Sequence, residues 1–81
     1  MHTLITGGAG YIGSHTCLAL LEAGHQVTVL DNLCNGSAQA LQRVQQLAGK
    51  PLHFIHGDIR NPDDLQRAFA QPPDAGIHFA A

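Results

Sequence analysis

The chain has 81 residues, 44% of them hydrophobic, and a formal net charge of -2, which fits one small globular domain or a piece of one. Its four Lys and Arg residues are scattered and form no basic footprint for nucleic acid, and no apolar run reaches the roughly 18 residues of a membrane span. The opening Met1-His2-Thr3-Leu4-Ile5-Thr6 lacks the basic head, long apolar stretch and cleavage site of a secretory signal, so Cys17 and Cys34 are expected to be reduced thiols in the cytoplasm.

Strand and helix signals alternate from end to end. The run from His2 to Thr6 predicts β1, and Gly7, Gly8, Gly10 and Gly13 predict a turn after it. Residues 12–23 are rich in Leu and Ala and stop at Gly24, which predicts the first helix. Val27-Thr28-Val29-Leu30 is β-branched and apolar, as a strand buried on both faces should be. Asn35-Gly36-Ser37 supplies a loop and a Ser cap for a second helix over 38–48, with Leu41, Val44, Leu47 and Ala48 as its apolar side. Gly49 and Pro51 end it, and Leu52–His56 predicts β3. Asn61 as cap, Pro62 at the first helical position, then Asp63 and Asp64, open a third helix reaching about Ala70. Ile77-His78-Phe79-Ala80-Ala81 predicts β4, which Gly76 at its start should weaken.

The order β-α-β-α-β-α-β with short crossovers predicts an α/β fold. It corresponds to a partial Rossmann, doubly wound sheet of four parallel strands in the order 3-2-1-4. Chain ends usually lie in polar surface segments, whereas this one stops inside an apolar strand. Residues 1–81 are therefore expected to be the amino-terminal part of a truncated domain.

Gly7-Gly8-Ala9-Gly10-Tyr11-Ile12-Gly13 contains Gly-x-Gly-x-x-Gly, a weak signal alone but a meaningful one between a strand and a helix. Glycines permit the tight turn, let backbone N–H groups approach a pyrophosphate and allow close helix–strand packing. The helix starting near Tyr11 directs its positive end at that anion. No Gly-Lys-Ser or Gly-Lys-Thr follows, which argues against nucleoside triphosphate chemistry.

Asp31 ends β2 close to the ~20-residue spacing expected for the acid that accepts from the adenosine ribose hydroxyls. No Arg or Lys lies between Asp31 and Arg43 to meet a 2′-phosphate, so NAD is favoured over NADP. Asn32, Asn35 and Ser37 fit ribose or phosphate contacts and fit turn positions equally well. Asp58, after β3, is placed to accept from the adenine amino group while Ile59 packs on the ring; a plain turn role is the alternative. The six histidines do not predict a metal site. His53 and His56 point to opposite faces of a strand, and neither Cys-x-x-Cys nor His-Glu-x-x-His occurs. His78, inside the last strand, reads as a packed, hydrogen-bonded core residue rather than a catalytic one.

With these motifs placed, the chain resembles the amino-terminal part of the UDP-glucose 4-epimerases, within the extended short-chain dehydrogenase/reductase family. The carrying segments are Thr6–Thr16, Leu30–Asn35, Gly57-Asp58-Ile59-Arg60 and His78-Phe79-Ala80. The resemblance implies cofactor contacts from Gly7, Gly10, Tyr11, Ile12 and Gly13, from Asp31, Asn32, Leu33, Cys34, Asn35 and Gly36, from Asp58 and Ile59, and from Phe79, Ala80 and Ala81. It further implies a cytoplasmic, homodimeric full-length enzyme of galactose metabolism. Such an enzyme holds NAD and interconverts UDP-galactose and UDP-glucose through a 4-keto sugar, without nucleic acid, membrane or metal.

One departure is decisive for chemistry. Tyr11 is the only tyrosine and Lys50 the only lysine, so the Tyr-x-x-x-Lys pair that such enzymes use as base is absent. No catalytic residue is expected in this chain, and the substrate domain is expected to be missing. A dehydratase or decarboxylase of sugar nucleotides, or a non-catalytic nucleotide-binding module, remain alternatives at this stage.

Overall fold

A computed structural model describes residues 1–7, 10–33 and 38–78, Tyr11 through its backbone alone. The elements are β1 (His2–Thr6), α1 (Tyr11–Glu22), β2 (Gln26–Asp31), α2 (Ala38–Ala48), β3 (His53–His56), α3 (Pro62–Ala68) and β4 (Ala75–His78). The four strands form one parallel sheet in the order β3-β2-β1-β4, as the alternation of elements predicts.

Each helix is placed by where its apolar residues fall. Ile5, Val27 and Val29 from one face of the sheet are buried together with Cys17 and Leu21 of α1 and Leu41 and Val44 of α2, and Phe54 and Ile77 pack at the margin. Leu4, Leu30 and Ile55 from the opposite face are buried with Ala68 of α3, and Leu65 and Ile59 pack against them. β2, the strand with cores on both sides, is buried from Val27 to Asp31, which explains its β-branched, apolar sequence. Leu47 departs from the expected pattern. It is 64% exposed, because the seam of α2 runs through Leu41, Val44 and Ala48, at i, i+3 and i+7. Among the described residues no helix is long and apolar enough to cross a membrane.

The last strand begins earlier than its sequence suggests. Ala75 and Gly76 already pair with Thr3 and Leu4 of β1, so Gly76 lies inside the strand rather than ahead of it. The carboxylate of Asp74 accepts the N–H of His2 (2.8 Å) and the Asp74 N–H donates to the His2 carbonyl (2.7 Å). This double link registers β4 before its first residue. Among the described residues, a Cβ on Gly76 would meet only the Leu4 carbonyl oxygen, at 3.9 Å. Phe79, Ala80 and Ala81, expected to continue β4, lie outside the described residues.

Candidate functional site

Three loops meet at the carboxyl ends of the strands, the edge at which parallel α/β sheets bind ligands. The Gly7 N–H donates to the Leu30 carbonyl (3.0 Å) and the Gly57 N–H to the Asp31 carbonyl (3.1 Å). The first residues after β1 and β3 are thereby tied to the end of β2.

Gly7 has φ 76°, a left-handed conformation that costs other residues about 1–2 kcal/mol. Gly10, by contrast, has φ -76° and ψ 176°, which any residue adopts. A Cβ there would meet, among the described residues, only the Gly7 carbonyl oxygen, at 3.7 Å. Among the described residues, neither the backbone conformation nor the packing requires glycine at 10.

Two of the helices that start at this edge, α1 and α3, differ. At α3, the Asn61 carboxamide oxygen accepts from Asp63 N–H (2.9 Å) and Asp64 N–H (3.4 Å), and two acids occupy the first turn. At α1 the N-cap is Gly10, no side chain caps it, and the first turn carries no acid. The positive end of α1 is thus left uncompensated by its own sequence. Ile12, in that first turn, is 66% exposed despite its apolar side chain. Gly13 and Ser14 are buried.

Asp31 is 8% exposed, at the end of β2. Its Oδ1 accepts the Leu33 N–H at 2.7 Å, an Asx turn that holds the carboxylate at the sheet edge. Leu33 takes φ 61°, a strained left-handed value for a branched side chain, and its side chain packs against the first core cluster. Asn32 is exposed and its carbonyl oxygen lies 3.4 Å from His56 Nε2. Cys34, Asn35 and Gly36, expected in the same loop, lie outside the described residues, as do Gly8, Ala9 and the Tyr11 side chain.

After β3 the carboxylate of Asp58 is gripped by its neighbour. It accepts the Arg60 backbone N–H (2.8 Å) and forms an ion pair with Arg60 Nη2 (2.8 Å). The Arg60 guanidinium, followed by that backbone N–H, holds the Asp58 carboxyl down to about 2. Ile59 is partly buried and packs against the second core cluster. Asp64, from the first turn of α3, accepts the Asp58 N–H at 2.9 Å and pairs with Arg67. That N–H, then the Arg67 guanidinium, keep its carboxyl below the usual carboxylate range.

Several working residues escape a reading by local pattern. Asp64 is legible as an acid suited to a helix start, not as the anchor of the loop before it. His78 is hydrogen-bonded, its Nδ1 to the Thr6 hydroxyl, but it is exposed rather than packed in the core. The reason is placement: α3 and the second cluster cover β2 and β3, not the side of β4 that bears His78. The register pair Thr6↔His78 sets these two residues side by side, and no local signal marks it. His53 and His56 are both exposed and alternate across β3 as expected. Among the described residues no group of three or more His, Cys, Asp or Glu is arranged to hold a metal.

Tyr11 and Lys50 stand at opposite ends of the sheet. Tyr11 opens α1 at the carboxyl edge, whereas Lys50 borders a cavity at the amino edge with His2, His25, Gln26 and His53. They cannot share a proton.

Comparison with known proteins agrees with this geometry. Residues 3–81 match the model of the NAD dependent epimerase/dehydratase family. The UDP-glucose 4-epimerase of Bacillus subtilis (strain 168) is 51% identical over 81 residues, covering 99% of this chain and 24% of that protein. That of Yersinia enterocolitica is 54% identical with the same coverage. A UDP-glucose 4-epimerase from Klebsiella pneumoniae is 49% identical, and 58% of its length is covered. The crystal structure of UDP-glucose 4-epimerase from Bifidobacterium longum in complex with NAD+ and UDP superposes with a TM-score of 0.97 at 44% identity, covering 100% of this chain and 24% of that one. The chain thus spans about a quarter of the Bacillus, Yersinia and Bifidobacterium proteins. With a family match across nearly all its residues, the chain belongs to the NAD dependent epimerase/dehydratase family.

Proposed function

We propose that residues 1–81 form the adenosine-side part of an NAD-binding domain, and that the full-length protein is a UDP-glucose 4-epimerase. One observation carries the reading: α1 begins without a cap side chain or an acid, beneath a glycine that the described fold does not itself require. Such a start accepts a pyrophosphate without steric or electrostatic conflict.

The surrounding residues fit the rest of a dinucleotide. Gly7, Gly10 and Gly13 shape the turn, while the backbone at Tyr11 and Ile12 presents N–H groups to the phosphates. The Asp31 carboxylate accepts from the ribose hydroxyls and repels a 2′-phosphate, which selects NAD over NADP. Asn32, Leu33, Cys34, Asn35 and Gly36 border the same ribose. Asp58 accepts from the adenine amino group, and Ile59 supports the ring. Phe79, Ala80 and Ala81 are further contacts of the dinucleotide in this reading.

Bound there, NAD supplies a reversible hydride acceptor for oxidation at the sugar C4, through which UDP-galactose and UDP-glucose interconvert by way of a 4-keto sugar. The residues of this chain bind and orient. They provide no base, since Tyr11 and Lys50 lie at opposite edges of the sheet. A Tyr-x-x-x-Lys pair elsewhere in the full-length protein, its tyrosine activated by the neighbouring cation, takes the 4-hydroxyl proton. We place this enzyme in the cytoplasm, in galactose metabolism, as a homodimer.

The test is turnover. The intact protein, incubated with NAD and UDP-galactose, is expected to form UDP-glucose. The 81-residue chain alone is expected to form none. Activity of the isolated chain, with host epimerase excluded, would refute the division of labour, and inactivity of the intact protein would refute the epimerase reading.

A further inference from the structure

We infer that Asp64 is a positioning residue for dinucleotide recognition, fixing the loop after β3 so that the Asp58 carboxylate meets the adenine amino group. The inference rests on the adenine role proposed for Asp58 above.

Asp64 stands three residues after the N-cap Asn61. An acid at that position commonly turns back to the N–H of the cap residue and completes a capping box. Here the Asn61 N–H already donates to the Asp58 carbonyl (3.0 Å), and Asn61 serves the exposed N–H groups of Asp63 and Asp64. The carboxylate of Asp64 reaches past the cap instead. Its Oδ2 accepts the Asp58 N–H at 2.9 Å, and its Oδ1 pairs with Arg67 Nη2, which also reaches the His56 carbonyl at 3.4 Å. The side chain is only 17% exposed.

Gly57 explains how the carboxylate fits. A Cβ on Gly57 would stand 2.6 Å from both Cγ and Oδ2 of Asp64 and 2.9 Å from its Cβ. Its φ is not in the left-handed region, so the glycine serves the space that Asp64 fills rather than a special backbone conformation. Asp58 is therefore located from two sides, its backbone by Asp64 and its carboxylate by Arg60.

The experiment measures adenine recognition in the intact protein. NAD and its hypoxanthine analogue, which carries a carbonyl oxygen where adenine has the amino group, are titrated by calorimetry into wild type, Asp64→Ala, Asp64→Asn and Gly57→Ala. Wild type is expected to prefer NAD. Asp64→Ala and Gly57→Ala, which remove or evict the carboxylate, should each lose about three- to tenfold of that preference, in line with the typical net worth of one hydrogen bond. Asp64→Asn keeps an oxygen able to accept the Asp58 N–H and should retain most of it. An unchanged preference in both Asp64→Ala and Gly57→Ala, whatever their stability, overturns the inference. Wild type that binds NAD without preferring it to the analogue overturns the adenine role of Asp58 and this inference with it. Wild type that binds no NAD overturns the proposed function itself.

Discussion

Substitution at Gly10 separates folding from ligand binding. In the folded chain an alanine there adopts the same φ of -76° without strain, and among the described residues its Cβ makes one ordinary contact, at 3.7 Å. Alanine is a poorer N-cap than glycine by roughly 0.5–1 kcal/mol, and it restricts the unfolded chain by a comparable 0.4–1 kcal/mol. The two effects oppose each other, so stability should change by less than about 1 kcal/mol, a melting shift below ~4 °C for a protein larger than this one stretch. Binding should respond very differently. A phosphate oxygen bonded to a backbone N–H sits about 2.9 Å away, closer than a methyl group permits. Gly10→Ala should therefore weaken NAD binding at least tenfold, or about 1.4 kcal/mol, and Gly10→Val should abolish it. Circular dichroism melts paired with NAD titration of the intact protein measure both quantities. A folded Gly10→Val protein that still carries NAD through gel filtration would refute the assignment of the turn to the phosphates.

Asp31→Ala should weaken NAD binding by about 1–3 kcal/mol and narrow its margin over NADP; calorimetry with both dinucleotides reads the two effects, and unchanged values would remove Asp31 from the site. Asp58, held down to about 2 by Arg60, and Asp64, held below its ordinary value by the Asp58 N–H and Arg67, both have folded values beneath the unfolded carboxylate range near ~3.9. Their stabilising contribution is complete above that range and fades as pH falls through the folded values. Melting temperature should accordingly drop between about pH 4 and pH 2, with a shallower slope in Asp64→Asn; an identical slope would show that the pair plays no part. Cys17 is fully buried, and burial pushes its thiol up to about 11, so iodoacetamide at pH 8 should modify it only in denaturant. Rapid alkylation of Cys17 in the native protein, read by peptide mass spectrometry, would contradict its place in the core.

Elements governed by local signals were legible in the chain. Val27–Leu30 reads as a doubly buried strand and is one, and α2 spans 38–48 because a loop and Gly49 bracket an amphipathic run. The strand order also followed from the alternation of elements, since short right-handed crossovers leave few other arrangements. Features set by partners distant in sequence were not legible. β4 starts at Ala75 because Asp74 bonds to His2, a contact visible only once β1 and β4 are neighbours. Leu47 has the composition of a core residue but falls off the seam of its helix. The glycine turn and Asp31 announced themselves by spacing, while the part played by Asp64 depends on how α3 folds back over Gly57. Single residues of the turn type carry no mark of such a contact.

Hydrogen exchange of the intact protein tests most directly whether these residues hold the adenosine half of NAD. Adding NAD should slow exchange at the backbone amides of residues 10–13, 31–33 and 57–59, the three loops at the carboxyl edge. Amides around Gly24, His25 and Lys50, at the amino edge, should exchange as before. Protection at the amino edge, or none at residues 10–13 under saturating NAD, would contradict the account.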